Sequence, residues 1–287
     1  MRKLFRSRQS DVFFIRGYAK SGTNWLCNLM NLHPQIACTG EFHLRPLFES
    51  VRAIQSAPWG ILSREKQSAF LEDAFYRMVK QLIRDVCGNK RWCGDRTPCT
   101  LRSTFVPGVR QLYITRDGRD AVVSWAYHTL NYNFNAGPRM QENLQRFKAD
   151  PNYFEQHKQE LLACETVVRE FASQWNAAIV DDFQMMQSAD RAEIDLPYYW
   201  IRYEDLQTDT LKYRNEIYQF LGLAAAKASP LNALTEPGFG SADTNRPNDF
   251  YRRGRAGTWQ EYFTAEQLAW FNDEASEALR LISKNAS

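Results

Sequence analysis

Val12-Phe13-Phe14-Ile15-Arg16-Gly17-Tyr18-Ala19-Lys20-Ser21-Gly22-Thr23-Asn24-Trp25 is the stretch on which the reading of this chain turns. Val12 to Ile15 is apolar without alternation and stops at Gly17, the pattern of a strand covered on both faces in a parallel sheet. Gly17 to Thr23 is small and polar, and reads as a loop. A helix is predicted over Asn24 to Leu32, with Trp25, Leu29 and Leu32 at i, i+4 and i+7. His33-Pro34 ends it, because the residue before proline avoids helical backbone angles. Strand, loop and helix in this order form a βα unit, and its helix start offers unpaired N–H groups and a positive dipole end to an anion. Gly17 and Gly22 are four residues apart, as in G-x-x-x-x-G-K-[ST], but here Thr23 follows Gly22 directly and the lysine lies inside the loop at Lys20. Small residues let the backbone wrap an anion while Lys20 supplies a point charge. A plain tight turn would use the same glycines. The apolar strand, the lysine, the hydroxyls and the immediate helix together favour the anion site.

The rest of the chain repeats the alternation. Further strands are predicted at Gln35–Cys38, Arg91–Cys93, Arg110–Thr115 and Tyr198–Tyr203. Helices are predicted over Arg64–Val86, Asp117–Leu130, Leu161–Met186, Leu211–Leu221 and from Thr264 to Ile282. Ser63 would cap the first of these, with Phe70, Phe75, Met78, Leu82 and Val86 as its apolar positions. Asn131 to Pro151 contains Asn, Gly and Pro and reads as a loop or insertion. The expected fold class is α/β: a single P-loop-like domain over residues 1–287, its central parallel sheet flanked by helices.

Bulk properties narrow the partners. The 287 residues carry 36 Lys and Arg against 33 Asp and Glu, a net charge of +3, which argues against non-specific nucleic-acid binding. No apolar stretch approaches the length of a membrane span, so none is expected. The six cysteines form no C-x-x-C pair and the four histidines complete no zinc pattern. Free thiols in a reducing compartment, and hence a cytoplasmic location, are expected.

With these blocks in view, Tyr18-Ala19-Lys20-Ser21-Gly22-Thr23-Asn24-Trp25 resembles the 5′-phosphosulfate loop, Tyr-Pro-Lys-Ser-Gly-Thr-Thr-Trp, of sulfotransferases that use 3′-phosphoadenosine 5′-phosphosulfate (PAPS). Ala19 replaces the proline and Asn24 a hydroxyl residue, and neither change removes a charge. Arg110 to Trp125 is similar to the family's 3′-phosphate block, a strand ending in Arg116 and a helix carrying Ser124 eight residues on. Arg252-Arg253-Gly254-Arg255-Ala256-Gly257-Thr258-Trp259 resembles the family's Arg-Lys-Gly-x-x-Gly-Asp-Trp segment, and Tyr203 matches a position on the adenine side of the nucleotide. The resemblance implies transfer of a sulfuryl group from PAPS to an acceptor hydroxyl, releasing 3′-phosphoadenosine 5′-phosphate (PAP), with no metal. Residues 19–25, Arg116, Ser124, Tyr203, Arg252, Arg253 and Gly254 would bind the nucleotide.

At the reacting centre Lys20 suits the leaving phosphate, where charge builds. The histidine that many cytosolic members carry before the 3′-phosphate strand has no counterpart between Arg91 and Arg110. Glu41-Phe42-His43 instead looks like the carbohydrate-type branch, which makes Glu41 the expected general base and His43 its partner or a substrate contact. Asp95 is the rival base and Arg96 a candidate acceptor contact. The acceptor is expected to be a small molecule or a saccharide. Two other readings stand beside this one: a P-loop kinase using ATP and magnesium, with Asp117 near the metal position, and a non-catalytic nucleotide- or glycan-binding module. The family's short C-terminal dimer signature is not found around Gln260–Ala269, which leaves the oligomeric state open.

Overall fold

Among the described residues, five short strands, all parallel, set the frame. The computed structural model describes residues 11–56, 64–132, 140–236 and 254–284. In chain order the elements are β1 (Asp11–Arg16), α1 (Thr23–Met30), β2 (Ile36–Cys38), α2 (Arg45–Ser56), α3 (Arg64–Cys87), β3 (Trp92–Arg96), β4 (Arg110–Thr115), α4 (Gly118–Tyr132), α5 (Gln141–Ala149), α6 (Tyr153–Gln156), α7 (Glu165–Asp190), β5 (Tyr198–Arg202), α8 (Tyr203–Thr208), α9 (Thr210–Phe220) and α10 (Ala265–Lys284). The sheet order is β2-β3-β1-β4-β5. β1 is therefore central, pairing Phe13 with Gly94 on one side and with Arg110 on the other.

Strand alternation sends Phe13 and Ile15 to the face covered by α1 and α9, while Val12 and Phe14 face α3. Both faces being covered explains why β1 reads as an unbroken apolar run. Around Tyr113 on β4, helices α4, α7 and α10 build the largest part of the core, with Trp175 and Phe271 fully buried. From β1 the chain first moves out to β2 and β3, then returns past β1 to β4. The crevice between the carboxyl ends of β1 and β4 is thus a topological switch point, the place where open parallel sheets bind ligands.

Several expectations need correction. Phe70, Met78, Leu82 and Val86 of α3 are exposed, and the helix buries Phe75, Val79, Ile83 and Cys87 instead. The helix holds two apolar series at helical spacing, and the orientation of α3 against β1 and β3 decides which is inward. Residues 131–151 are not all loop, because α5 lies within them. Leu144 and Phe147 of α5 pack into the core. The long helix starts at Glu165, and Leu161 belongs to a short 3-10 turn before it. Helix α2 was not anticipated; Pro46 stands in its first turn, where a missing N–H costs nothing. Trp175 is buried and the Trp200 indole donates to Thr115 Oγ1 at 3.0 Å, so both serve the core. The Ser63 cap lies outside the described residues. At the start of α10, Thr264 Oγ1 accepts from Gln267 N at 3.2 Å and Gln267 Oε1 accepts from Thr264 N at 3.0 Å, a capping box.

One core carboxyl carries a pH signature. Asp182 on α7 is 1% exposed and accepts from Leu101 N at 2.7 Å. Burial pushes its pKa up to about 8. The unfolded chain ionises this group near ~4, so its contribution to stability is full below that pH and falls as pH rises towards about 8. The expected result is a urea midpoint that declines between about pH 5 and 8 in the parent and declines less in Asp182→Asn, measured by fluorescence.

Candidate active site

The loop after β1 is built around two glycines that no larger residue can replace. A Cβ on Gly17 would fall 2.2 Å from the Ile114 carbonyl oxygen. Gly22 has φ 99 and caps α1, and a Cβ there would lie 2.5 Å from the Tyr203 ring. Between them Lys20 takes a left-handed φ of 71, a conformation that side-chain-bearing residues adopt at a cost. No side chain caps α1, so the N–H groups of its first turn face the loop mouth. Ser21 Oγ, Asn24 Oδ1 and Arg116 Nε are buried here without a hydrogen-bond partner. An unpaired buried polar atom costs ~1–3 kcal/mol, a cost that a ligand at this mouth would relieve. The Ser21 hydroxyl and Arg116 Nε are donors, which fits phosphate or sulfate oxygens.

Arg116 joins the blocks that lie far apart in the chain. At the end of β4 its guanidinium donates to the Lys20 carbonyl at 3.4 Å and to the Arg255 carbonyl at 3.0 Å. It lies 4.4 Å above the Tyr203 ring, which itself packs edge-on against Trp25 at 5.3 Å. The third block is held from the same side. Asp120 accepts from Gly257 N at 2.6 Å, Thr258 Oγ1 at 3.0 Å and Trp259 N at 2.9 Å. Gln207 on α8 donates to the Gly254 carbonyl and accepts from Ala256 N at 2.9 Å. Arg119 stacks 3.9 Å over Trp259. Residues 254–259 are thus pinned peptide by peptide against the strand ends. Ser124 lies half-buried on α4, two turns beyond Arg116, while Arg252 and Arg253 lie outside the described residues.

Around Lys20 the groups differ in their freedom. Burial, then the Arg116 charge, lowers the Lys20 pKa to about 8, with Glu41 pulling the other way. The Glu41 carboxylate accepts from Arg96 at 2.6 Å, and its other oxygen lies 3.7 Å from His43 Nε2. His43 is 75% exposed and takes a left-handed φ of 48. Asp95 sits in a different setting. Fully buried, it pairs with Arg16 at 2.8 Å and accepts from Thr97 Oγ1 at 3.0 Å and Phe42 N at 3.1 Å. Sequence reasoning missed Arg16, Arg119, Asp120 and Gln207. Arg119 and Asp120 stood inside the second quoted block, whereas nothing in the sequence marked Gln207. Among the described residues no cluster of three or more His, Cys, Asp or Glu could hold a metal ion, and no helix is long and apolar enough to cross a membrane.

Asp120 is 1% exposed, so its loss would strand two backbone donors. Asp120→Ala is expected to cost about 2–3 kcal/mol in urea unfolding. Hydrogen exchange at the Gly257 and Trp259 amides should speed up in that variant while exchange in β1 holds.

Residues 10–282 match the family described as Sulfotransferase domain. Sulfotransferase 2B1 of Mus musculus is 22% identical over 294 residues, covering 96% of this chain and 73% of that protein. Protein-tyrosine sulfotransferase 2 of Gallus gallus is 27% identical over 131 residues, 41% of this chain and 34% of that one. The crystal structure of mouse sulfotransferase SULT7A1 complexed with PAP superposes with a TM-score of 0.51 at 18% identity, over 96% of this chain and 85% of that one, a likeness of fold. With the family match running through all three blocks that meet at Arg116, the chain belongs to the sulfotransferase domain family.

Proposed function

We propose that this protein transfers a sulfuryl group from PAPS to the hydroxyl of a small-molecule or saccharide acceptor, as one catalytic unit across residues 1–287. The convergence of the three blocks on Arg116 carries the reading, because it creates one enclosed cationic corner beside the uncapped start of α1. Lys20, Ser21, Gly22 and Thr23 hold the 5′ end of the nucleotide, and Ala19 shapes the loop before them. Asn24 adds a side-chain contact at the same mouth. Arg116, Ser124, Gly254 and the flanking Arg252 and Arg253 hold the 3′-phosphate; Trp25 and Tyr203 flank the base. PAPS supplies the sulfuryl group when bound.

Lys20 stabilises charge on the leaving phosphate, since an ammonium in a partly dry site acts with little reorganisation. Glu41 takes the acceptor proton. Asp95 is the weaker candidate because Arg16, Thr97 and the Phe42 amide already occupy its carboxylate. Arg96 holds Glu41 in place, and His43 stands at the open side towards the acceptor. Asp117, which a kinase would turn to magnesium, is gripped by the Arg119 side chain at 2.6 Å and by its amide at 2.9 Å. All six cysteines are free thiols, which fits a reducing compartment such as the cytoplasm.

Labelled PAPS assayed across phenols, steroids and saccharides tests the reading. Transfer to one class supports it; preference for ATP–magnesium over PAP in calorimetry, or binding without any transfer, overturns it. Lys20→Ala is expected to lose ~100-fold or more in turnover with its circular dichroism unchanged. Glu41→Gln should lose ~10²-fold or more in rate while keeping its PAP affinity, and the same behaviour in Asp95→Asn would move the base there. Because the Lys20 ammonium loses its proton near pH 8, turnover should fall as pH rises through that value.

A further inference from the structure

Cys38 on β2 is in register with Gly94 on β3, and Gly94 with Phe13 on β1. Side chains at paired positions share a face of the sheet, so Cys38 points with Phe13 towards α1. Gly94 leaves room for it, since a Cβ there would fall 2.9 Å from the Cys38 sulfur. Helix α1 brings Cys27 onto the same spot. The Cys27 thiol donates to the Cys38 carbonyl at 3.4 Å, and both cysteines belong to one buried cluster. Asn31, one turn further along α1, clamps the pair. Its Oδ1 accepts from Cys38 N at 2.8 Å, and its Nδ2 donates to the Cys38 carbonyl at 2.8 Å and to the Cys27 sulfur at 3.8 Å.

These two cysteines are not sealed in the core. With Asn24 and Arg96 they form part of the wall of an open cavity of about 280 Å³. The thiols also differ in acidity. A hydrogen bond from the Cys38 thiol, and then the Arg96 charge, hold Cys27 below the usual thiol range against the effect of burial. The same bond, together with burial, pushes Cys38 well up. The thiolate is the form that attacks an oxidant, so Cys27 is the reactive member and Cys38 the reserve. Another neighbouring pair, Cys87 and Cys93, packs on the opposite face of the sheet. There the Cys87 thiol donates to the Ala37 carbonyl at 3.3 Å, and its bond with Cys93 pushes it up.

We propose that Cys27 and Cys38 form a peroxide-sensitive pair that closes into a disulfide and slows transfer. Hydrogen peroxide, hardly larger than water, enters the cavity. The Cys27 sulfur attacks one peroxide oxygen; an S–O bond forms, the O–O bond breaks, and the departing hydroxide leaves as water. The Cys38 sulfur then attacks the Cys27 sulfenic acid. An S–S bond forms, the S–O bond breaks, and the hydroxyl leaves as water with the Cys38 proton. Two thiols are oxidised and one peroxide is reduced to two waters. The effect on transfer rests on the proposed role of Glu41. Cys38 stands three residues before Glu41, and Arg96, on the same cavity wall, holds the Glu41 carboxylate at 2.6 Å. Drawing Cys38 towards α1 strains its two bonds with Asn31 and shifts the start of the Glu41 loop. A disulfide of this kind in a reducing compartment is transient and reversible.

The test treats the reduced protein with hydrogen peroxide and follows intact mass, digested peptides and turnover of labelled PAPS on the acceptor that the panel above identifies. The parent should lose two hydrogen atoms and yield one crosslink joining the Cys27 and Cys38 peptides. Turnover should fall ~10-fold or more, as a displaced catalytic group implies, and dithiothreitol should restore it. Cys27→Ala should form no crosslink and keep its turnover through the treatment. Cys38→Ala should stop at a sulfenic acid on Cys27, which dimedone labels. No crosslink in the parent, or one joining Cys87 to Cys93 instead, overturns the proposal, and so does a Cys27–Cys38 crosslink that leaves turnover unchanged. Should either alanine variant fail to fold, the crosslink mapped in the parent still decides. A reduced parent that transfers to no acceptor sinks the reading of Glu41 and PAPS instead, while the crosslink is read by mass.

Discussion

A guanidinium enclosed by protein has to find oxygen for its N–H groups, and at the end of β4 Arg116 finds it on two loops that never meet in sequence. One nitrogen takes the Lys20 carbonyl and another the Arg255 carbonyl, while the Tyr203 ring supports its flat face. Backbone carbonyls are neutral partners, so the cation is positioned without being neutralised. Its Nε is left with no partner. The rest of the site inherits its geometry from this joint, because the loop, the second block and the third block each contribute one side of it.

The sheet makes that joint available. Since β1 and β4 are neighbours whose connections run to opposite sides, their carboxyl ends open one crevice. The edge is braced at β3 by the buried Arg16–Asp95 pair, whose aspartate also holds Thr97 and the Phe42 amide. Buried ion pairs of this kind are a weak source of net stability, but removing one partner is costly because the other charge is stranded. Here the pair fixes where the chain leaves β3 and where the Glu41 loop must pass. The left-handed backbone at Lys20 is tolerated in the same way, with Arg116 gripping that residue's carbonyl.

Charge is apportioned sharply around this edge. Glu41 leans on Arg96, Asp117 on Arg119 and Asp120 on the amides of the third block, so each nearby carboxylate has a fixed duty. Lys20 is left as the partly buried cation whose proton is loosely enough held to respond near pH 8. Glu41 is partly open to solvent, in contrast to the enclosed Asp95.

Much of this could be read from the chain itself. The unbroken apolar run of β1, the loop from Gly17 to Thr23 and the strand ending in Arg116 are local patterns, set by backbone conformation and by burial on both faces. They sufficed for the α/β class, the loop between β1 and α1 and the family resemblance. Tertiary structure alone decided which apolar series of α3 turned inward, because Phe70, Met78, Leu82 and Val86 satisfy helical spacing as well as Phe75, Val79, Ile83 and Cys87 do. It alone distinguished Asp95 from Glu41, two carboxylates near strand ends that differ only in what surrounds them. Gln207 stayed silent in the sequence for the same reason. Periodicity records which face of an element is apolar, whereas the partners of a polar side chain depend on segments brought together by folding.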